Sequence, residues 1–186
     1  SAQVPGSIFK TVTLSAALEN ISDIESRSFR CTGETKVGGT IVTCPKPHGK
    51  LDIQSAFANS CNGVFAELAA EIGGYIMTHY VEKAGLTTRM SINGIQTAAG
   101  KYDVSQADKG QIGWSGVGQY TDTVNPANMM TFMGAIANDG KAAIPRLVSS
   151  VTSRDTGLPS SWTKGAQTDT LIEPGTAAKV KDMMKN

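Results

Sequence analysis

The sequence predicts an α+β chain that is mostly helical and carries little sheet. Two observations lead there. Apolar residues recur at helical spacing in several stretches, most of them closed by a capping residue or a glycine. Residues that favour strands gather only in short runs, Thr40-Ile41-Val42-Thr43 and residues 142–152. The chain has 186 residues and is 40% apolar, enough for one sizeable domain or most of one. A net charge of +1 gives no pull toward nucleic acid. No apolar run is long enough for a membrane helix, and residues 1–10 lack the apolar core of a signal peptide.

Val4-Pro5-Gly6 reads as a turn that starts a helix over 7–20, with Ile8, Val12, Leu14, Ala16, Ala17 and Leu18 burying most of its surface. Residues 21–50 read as loops around a small hairpin turning at Gly38-Gly39. Asp52 is a good N-cap for a short helix through Ala56, Phe57 and Ala58. Asn59 to Gly63 breaks it, and a second helix follows with Val64, Phe65, Leu68, Ala69 and Ile72 on one face. Gly73-Gly74 stops that helix. The next carries Ile76, Met77, Tyr80 and Val81 and ends at Gly85.

Residues 86–124 are polar and Gly-rich and read as a long loop with weak strand character. Asn125 as cap, Pro126 at the first helical position and Gly140 beyond the end bracket the clearest helix. Its stripe of Met129, Met130, Phe132, Met133 and Ile136 reads as core. Ile144, Leu147, Val148 and Val151 predict a strand over 142–152. A polar excursion over 153–172 precedes a last helix running from near Pro174 to the chain end.

The cysteines are Cys31, Cys44 and Cys61, with no CxxC pair. Cys31 and Cys44 flank the Gly-Gly turn and read equally as a disulfide in an oxidising compartment or as two reduced thiols. Cys44 and His48 have ligand-like spacing, but with Cys31 alone to help them no metal site is expected. No other cofactor is expected either. His79 reads as a surface or boundary residue and His48 as structural, because no Ser-His-Asp pattern is legible.

Chemistry gathers at the start of the chain. Ser7 and Lys10 stand at i and i+3, on one face of a helical turn. That pairs a nucleophile with a base at a helix end whose partial positive charge favours a developing anion. A lone Ser-x-x-Lys is a weak signal. It gains weight from Pro-Gly before it, the apolar helix after it, and Ser60-Cys61-Asn62 at a break between two helices. Convergence of these groups would keep Lys10 neutral enough to take the Ser7 proton, let Ser60 relay it, and offer Asn62 to a substrate amide.

Together these residues resemble the transpeptidase domain of penicillin-binding proteins, in the wider serine acyl-transferase and β-lactamase superfamily. Ser7-Ile8-Phe9-Lys10 matches its S-x-x-K motif, and Ser60-Cys61-Asn62 its S-x-N motif. Cys44 with His48-Gly49, then Ala56 to Phe65, look like the approach to the second motif in class B members. Gly118-Gln119, Asn125-Pro126 and Ala135-Ile136-Ala137-Asn138-Asp139-Gly140 look like the family's GQG, TP and AIANGG region. Tyr120 and Asp139 stand where the family commonly has Gly. The third motif, Lys-Ser/Thr-Gly, is absent: Thr163-Lys164-Gly165 has its letters in another order, and Pro174-Gly175-Thr176 lacks the Lys.

The resemblance implies a penicillin-binding-protein-like fold of which residues 1–186 form an internal fragment, truncated at both ends. It would hold mostly the helical subdomain and little of the five-stranded sheet. A catalytic turn so near residue 1 fits truncation as well. It implies a peptidoglycan D,D-transpeptidase with Ser7, Lys10 and Ser60 catalytic and Asn62 binding substrate. Stem peptides and β-lactams would be its ligands. Nucleic acid would not be a partner, and a membrane only through a missing N-terminal anchor. Division or elongation proteins are further possible partners, and the location would be the outer face of the bacterial cell membrane. The fragment itself, lacking one oxyanion donor, is expected to be nearly inactive. The rivals are a D,D-carboxypeptidase, a penicillin sensor or binding scaffold and, for want of a Glu that activates water, least of all a β-lactamase.

Overall fold

The computed structural model describes residues 1–159 and 165–185, so Thr163-Lys164 of the Thr-Lys-Gly triplet lies outside the described residues. A 3₁₀ turn, Gly6–Phe9, leads directly into α1, Lys10–Asn20. The Ser7 end of the expected helix is therefore the tighter form of turn, and the regular helix begins at Lys10. Every residue of α1 from Lys10 to Ala17 is buried. The helix can be buried all round because its buried polar side chains find hydrogen-bond partners, some local and some distant in sequence. Ser15 Oγ donates to Thr11 O at 2.7 Å, and Thr13 Oγ1 to Gly116 O at 2.7 Å.

Around α1 pack α3 (Asn62–Ile72), α4 (Gly74–Lys83), α5 (Lys109–Gly116) and α7 (Pro174–Met183). The sheet content is three two-stranded antiparallel ribbons among the described residues. β1 (Phe29–Cys31) pairs β4 (Gly49–Leu51), with Cys31 opposite Gly49. β2 (Glu34–Val37) and β3 (Thr40–Thr43) form the expected hairpin about Gly38-Gly39. β5 (Ser91–Ile92) and β6 (Ile95–Gln96) make a minimal one. α2 (Ile53–Ala58) is capped as expected, the Asp52 carboxylate accepting from Ser55 N at 2.8 Å. α6 (Pro126–Ala137) begins with Asn125 accepting from Ala127 N.

Four further elements depart from expectation. Helix α5 lies inside the stretch 86–124 that reads as loop. Gly110, Gly113 and Gly116 depress its helix propensity, but the packing needs them. A Cβ on Gly116 would lie 2.2 Å from Ala69 Cβ, and one on Gly110 2.2 Å from Thr40 Oγ1. Residues 142–152 form no strand; they hold only isolated bridges, Ala143 to Gln167 and Thr152 to Pro159. Strand-prone residues without a neighbouring strand to complete the ladder stay irregular. In α6, Met129, Phe132 and Ile136 are buried, but Met130 is 60% exposed, so the apolar stripe is wider than the core it faces. Finally, α7 ends at Met183, short of the chain end.

Candidate active site

The site is built where the 3₁₀ turn meets the break between α2 and α3. Gly6 adopts a left-handed φ of +57° and donates its N–H to Gly118 O at 3.0 Å. Gly118, at φ +76°, comes so close that a Cβ there would lie 2.3 Å from Gly6 O. Phe9, fully buried, stacks on Tyr102 with ring centroids 5.7 Å apart. These contacts anchor the turn on both sides of Ser7 and Ile8, which are exposed, while Lys10 is 1% exposed.

Lys10 Nζ has four oxygens in reach: Asn62 Oδ1 at 2.7 Å, Ser60 Oγ at 2.8 Å, Ser60 O at 2.9 Å and Ser7 Oγ at 3.0 Å. An ammonium has three protons, so the four contacts exceed its donors. Three oxygens belong to Ser60 and Asn62. A neutral amine has two N–H donors and one lone pair, so it can donate to two of these three oxygens and turn its lone pair to the fourth, the Ser7 hydroxyl. Ser60 reaches Lys10 twice because its φ of +51°, rare for a residue with a Cβ, turns both its carbonyl and its hydroxyl inward. Asn62 is the first residue of α3. Its Nδ2 donates to Thr43 O at 2.9 Å, which ties the end of β3 to the amide that holds Lys10.

Burial pushes the Lys10 ammonium down to about 8, an effect partly opposed by the Cys44 and Cys61 sulfurs. The site thus offers an exposed hydroxyl beside a buried amine that gives up its proton more readily than a free lysine. That pairing suits nucleophilic attack on a carbonyl.

All four residues expected from the sequence therefore stand together. One part of the Asn62 expectation changes: one of its amide N–H groups is engaged with Thr43, leaving the other for a ligand. Of the two readings left open for Cys31 and Cys44, the structure has no disulfide between them. All three cysteines are free thiols; Cys44 Sγ lies 3.8 Å from Cys61 Sγ, and Cys31 Sγ lies 3.4 Å from His48 Nδ1. These four are the residues that could hold a metal, their donor atoms all lying within 4.8 Å of one another. Sequence reasoning missed the group because Cys61 stood inside the second motif, thirteen positions after His48. His79 is exposed on α4, edge-on to Tyr80. Asp139, where the family commonly has Gly, sits at φ +52°, a region Gly enters without strain.

Comparison with known proteins follows this geometry. Residues 1–186 match the penicillin binding protein transpeptidase domain. The chain is 28% identical over 187 residues to the peptidoglycan D,D-transpeptidase PbpA of Mycolicibacterium smegmatis, covering 97% of this chain and 38% of that protein. The chain thus spans well under half the length of such curated relatives. Its fold is similar to a ceftriaxone acyl-enzyme complex of penicillin-binding protein A from M. tuberculosis, with a TM-score of 0.88, 24% identity, and 99% and 42% of the two chains covered. It is also similar to the D,D-transpeptidase domain of a peptidoglycan glycosyltransferase from Eggerthella lenta, with a TM-score of 0.85, 25% identity, and 98% and 48% covered.

Proposed function

The chain belongs to the penicillin-binding protein transpeptidase family, and from that premise we propose that it carries the nucleophile and base of a peptidoglycan D,D-transpeptidase. Ser7 is the nucleophile. Neutral Lys10 takes its proton as Ser7 attacks the carbonyl of the penultimate D-Ala of a stem peptide. The terminal D-Ala leaves, receiving a proton through Ser60 and Lys10. An amine from a second stem then resolves the ester and forms the cross-link. β-Lactams present the same carbonyl and are held as the Ser7 ester. The free N–H of Asn62 contacts the substrate backbone.

The observation that carries this reading is the single buried nitrogen, Lys10 Nζ, in hydrogen-bond reach of Ser7, Ser60 and Asn62 at once. Two features support the acyl-enzyme chemistry over β-lactam hydrolysis. Among the described residues no carboxylate hydrogen-bonds any of the four, so no carboxylate is placed there to activate water. One relative of the same fold was solved as an acyl-enzyme with ceftriaxone.

We read residues 1–186 as part of a larger transpeptidase domain, because they hold no Lys-Ser/Thr-Gly triplet and cover less than half of the solved relatives. In the family the strand that carries this triplet supplies a second oxyanion donor beside the N–H of the nucleophile, here Ser7. Stem peptides lie outside the cytoplasmic membrane, so the site works there. None of the described helices is long and apolar enough to cross a membrane.

The test is labelling with a fluorescent penicillin in the full-length protein. Ser7→Ala abolishes the adduct while circular dichroism stays that of the wild type. A stable adduct in folded Ser7→Ala would show that the nucleophile lies elsewhere.

A further inference from the structure

We propose that Cys31, Cys44, His48 and Cys61 form a closed, four-ligand zinc site that pins the Ser60–Asn62 turn against Lys10. The donors come from four places in the chain: the end of β1, the residue after β3, the residue before β4, and the N-cap of α3. The fold brings them to one point, with every pair of donor atoms within 4.8 Å. A tetrahedral zinc with bonds of ~2.3 Å to sulfur and ~2.0 Å to nitrogen separates two sulfurs by ~3.8 Å, and a sulfur and a nitrogen by ~3.5 Å. Cys44 and Cys61 stand at 3.8 Å, and Cys31 and His48 Nδ1 at 3.4 Å. The set is therefore close to coordination geometry already, and the remaining pairs, all within 4.8 Å, need contract by ~1.3 Å at most.

The surroundings offer the sulfurs hydrogen bonds. Backbone N–H groups of Gly33 and His48 point at Cys31 Sγ, and that of Val64 at Cys61 Sγ. Such donors satisfy a sulfur that has given up its proton. The donors are also held firmly. Cys31 lies in the β1–β4 ladder, Cys44 N donates to Gly33 O at 2.8 Å, and Cys61 N to Ala56 O at 2.9 Å. Pro45 and Pro47 stiffen the link from Cys44 to His48. Cys31 and Cys61 are buried and Cys44 and His48 half-buried, and four protein ligands leave no open position for a substrate. Three thiolates and an imidazole select zinc over the hard cations, and a closed shell makes the metal structural. Binding releases the thiol protons and oxidises nothing.

The consequence lies next door. Cys61 is flanked by Ser60 and Asn62, both bonded to Lys10. A metal bond to Cys61 fixes the position of both, which makes the four ligands positioning residues.

The experiment is metal analysis of the protein purified anaerobically without chelator and reconstituted with zinc. The expected result is one zinc per chain. Cobalt substitution should give the visible bands of a tetrahedral thiolate site, and zinc at a hundred times its Kd should raise Tm by roughly 5–10 °C. Cys31→Ser and His48→Ala should each lose most of the metal. Should these variants misfold, X-ray absorption on the wild-type zinc protein decides, by reading three sulfurs and one nitrogen. Zinc-free protein with three free thiols, a Cys44–Cys61 or Cys31–Cys44 disulfide, a different metal, or zinc retained in both variants would overturn the proposal. None of these readouts depends on Ser7 being the nucleophile, so the two ideas fail separately.

Discussion

Ser60 gives Lys10 two oxygens, its carbonyl at 2.9 Å and its hydroxyl at 2.8 Å from the same nitrogen. The two contacts separate in mutants. Ser60→Ala removes the hydroxyl but keeps the carbonyl, so Lys10 stays held. Proton delivery to the leaving group is lost. We expect turnover of a stem-peptide substrate to fall by ~10²–10⁴-fold and penicillin labelling to fall with it, because the ring nitrogen of an opened β-lactam draws its proton by the same route. Parallel measurement of the two rates checks this.

The rate of acylation should report the protonation of Lys10. Its free amine is the active form, and burial lowers its ammonium from 10.5 to about 8. Below that value the rate should climb about tenfold per pH unit, then level off above it. An unshifted lysine would keep climbing toward 10.5. Lys10→Arg, whose guanidinium keeps its proton, should show no measurable acylation at any of these pH values. Stopped-flow labelling across pH 6 to 10, roughly two units either side of the midpoint, reads both effects.

Gly118→Ala should damage the nucleophile turn from outside. The new Cβ meets Gly6 O at 2.3 Å and Phe9 Cβ at 2.8 Å, with φ at +76°. Backbone strain and the clash cost roughly 1–3 kcal/mol, or about 2–4 °C of Tm for each kcal/mol. Gly175→Ala is the control. It lies in α7 with open space around it and should leave Tm level or raise it slightly.

Asp122 is 1% exposed, and neither of its carboxylate oxygens has a hydrogen-bond partner among the described residues. Burial raises it from 3.8 to about 7. Over that window the native state keeps a proton that the unfolded chain has released. Stability from this group is therefore complete below the unfolded value and is lost as pH rises through about 7. Asp122→Asn should flatten the decline. Urea midpoints at about pH 5 and about pH 8 would differ less in the variant than in the wild type.

Local signals in the sequence were reliable where one residue dictates one geometry. Asp52 and Asn125 cap the helices they announce, and Gly73 and Gly85 both sit at positive φ beyond helix ends. Ser7, Lys10, Ser60 and Asn62 could be grouped because each pair within a motif shares one turn. What escaped depends on distant partners. Helix α5 looks like loop because its glycines answer to Ala66, Ala69 and Thr40, far away in sequence. The one local clue was its capping box, Asp108 with Gln111 three residues on. Residues 142–152 look like a strand because side-chain preference says nothing about whether a neighbour exists. The cysteine and histidine cluster needs four chain segments to meet, and spacing along the chain does not reveal that.

The burial of α1 has a kinetic consequence. The Lys10 amine meets Ser60 and Asn62 across 50 and 52 residues of sequence, and Thr13 on the same helix bonds Gly116 across 103. No local segment can hold these groups together, so the nucleophile stays inert until the long loops have closed. Penicillin labelling of this chain within its natural protein would therefore track the arrival of the native core, and its onset during refolding would mark the last of those closures.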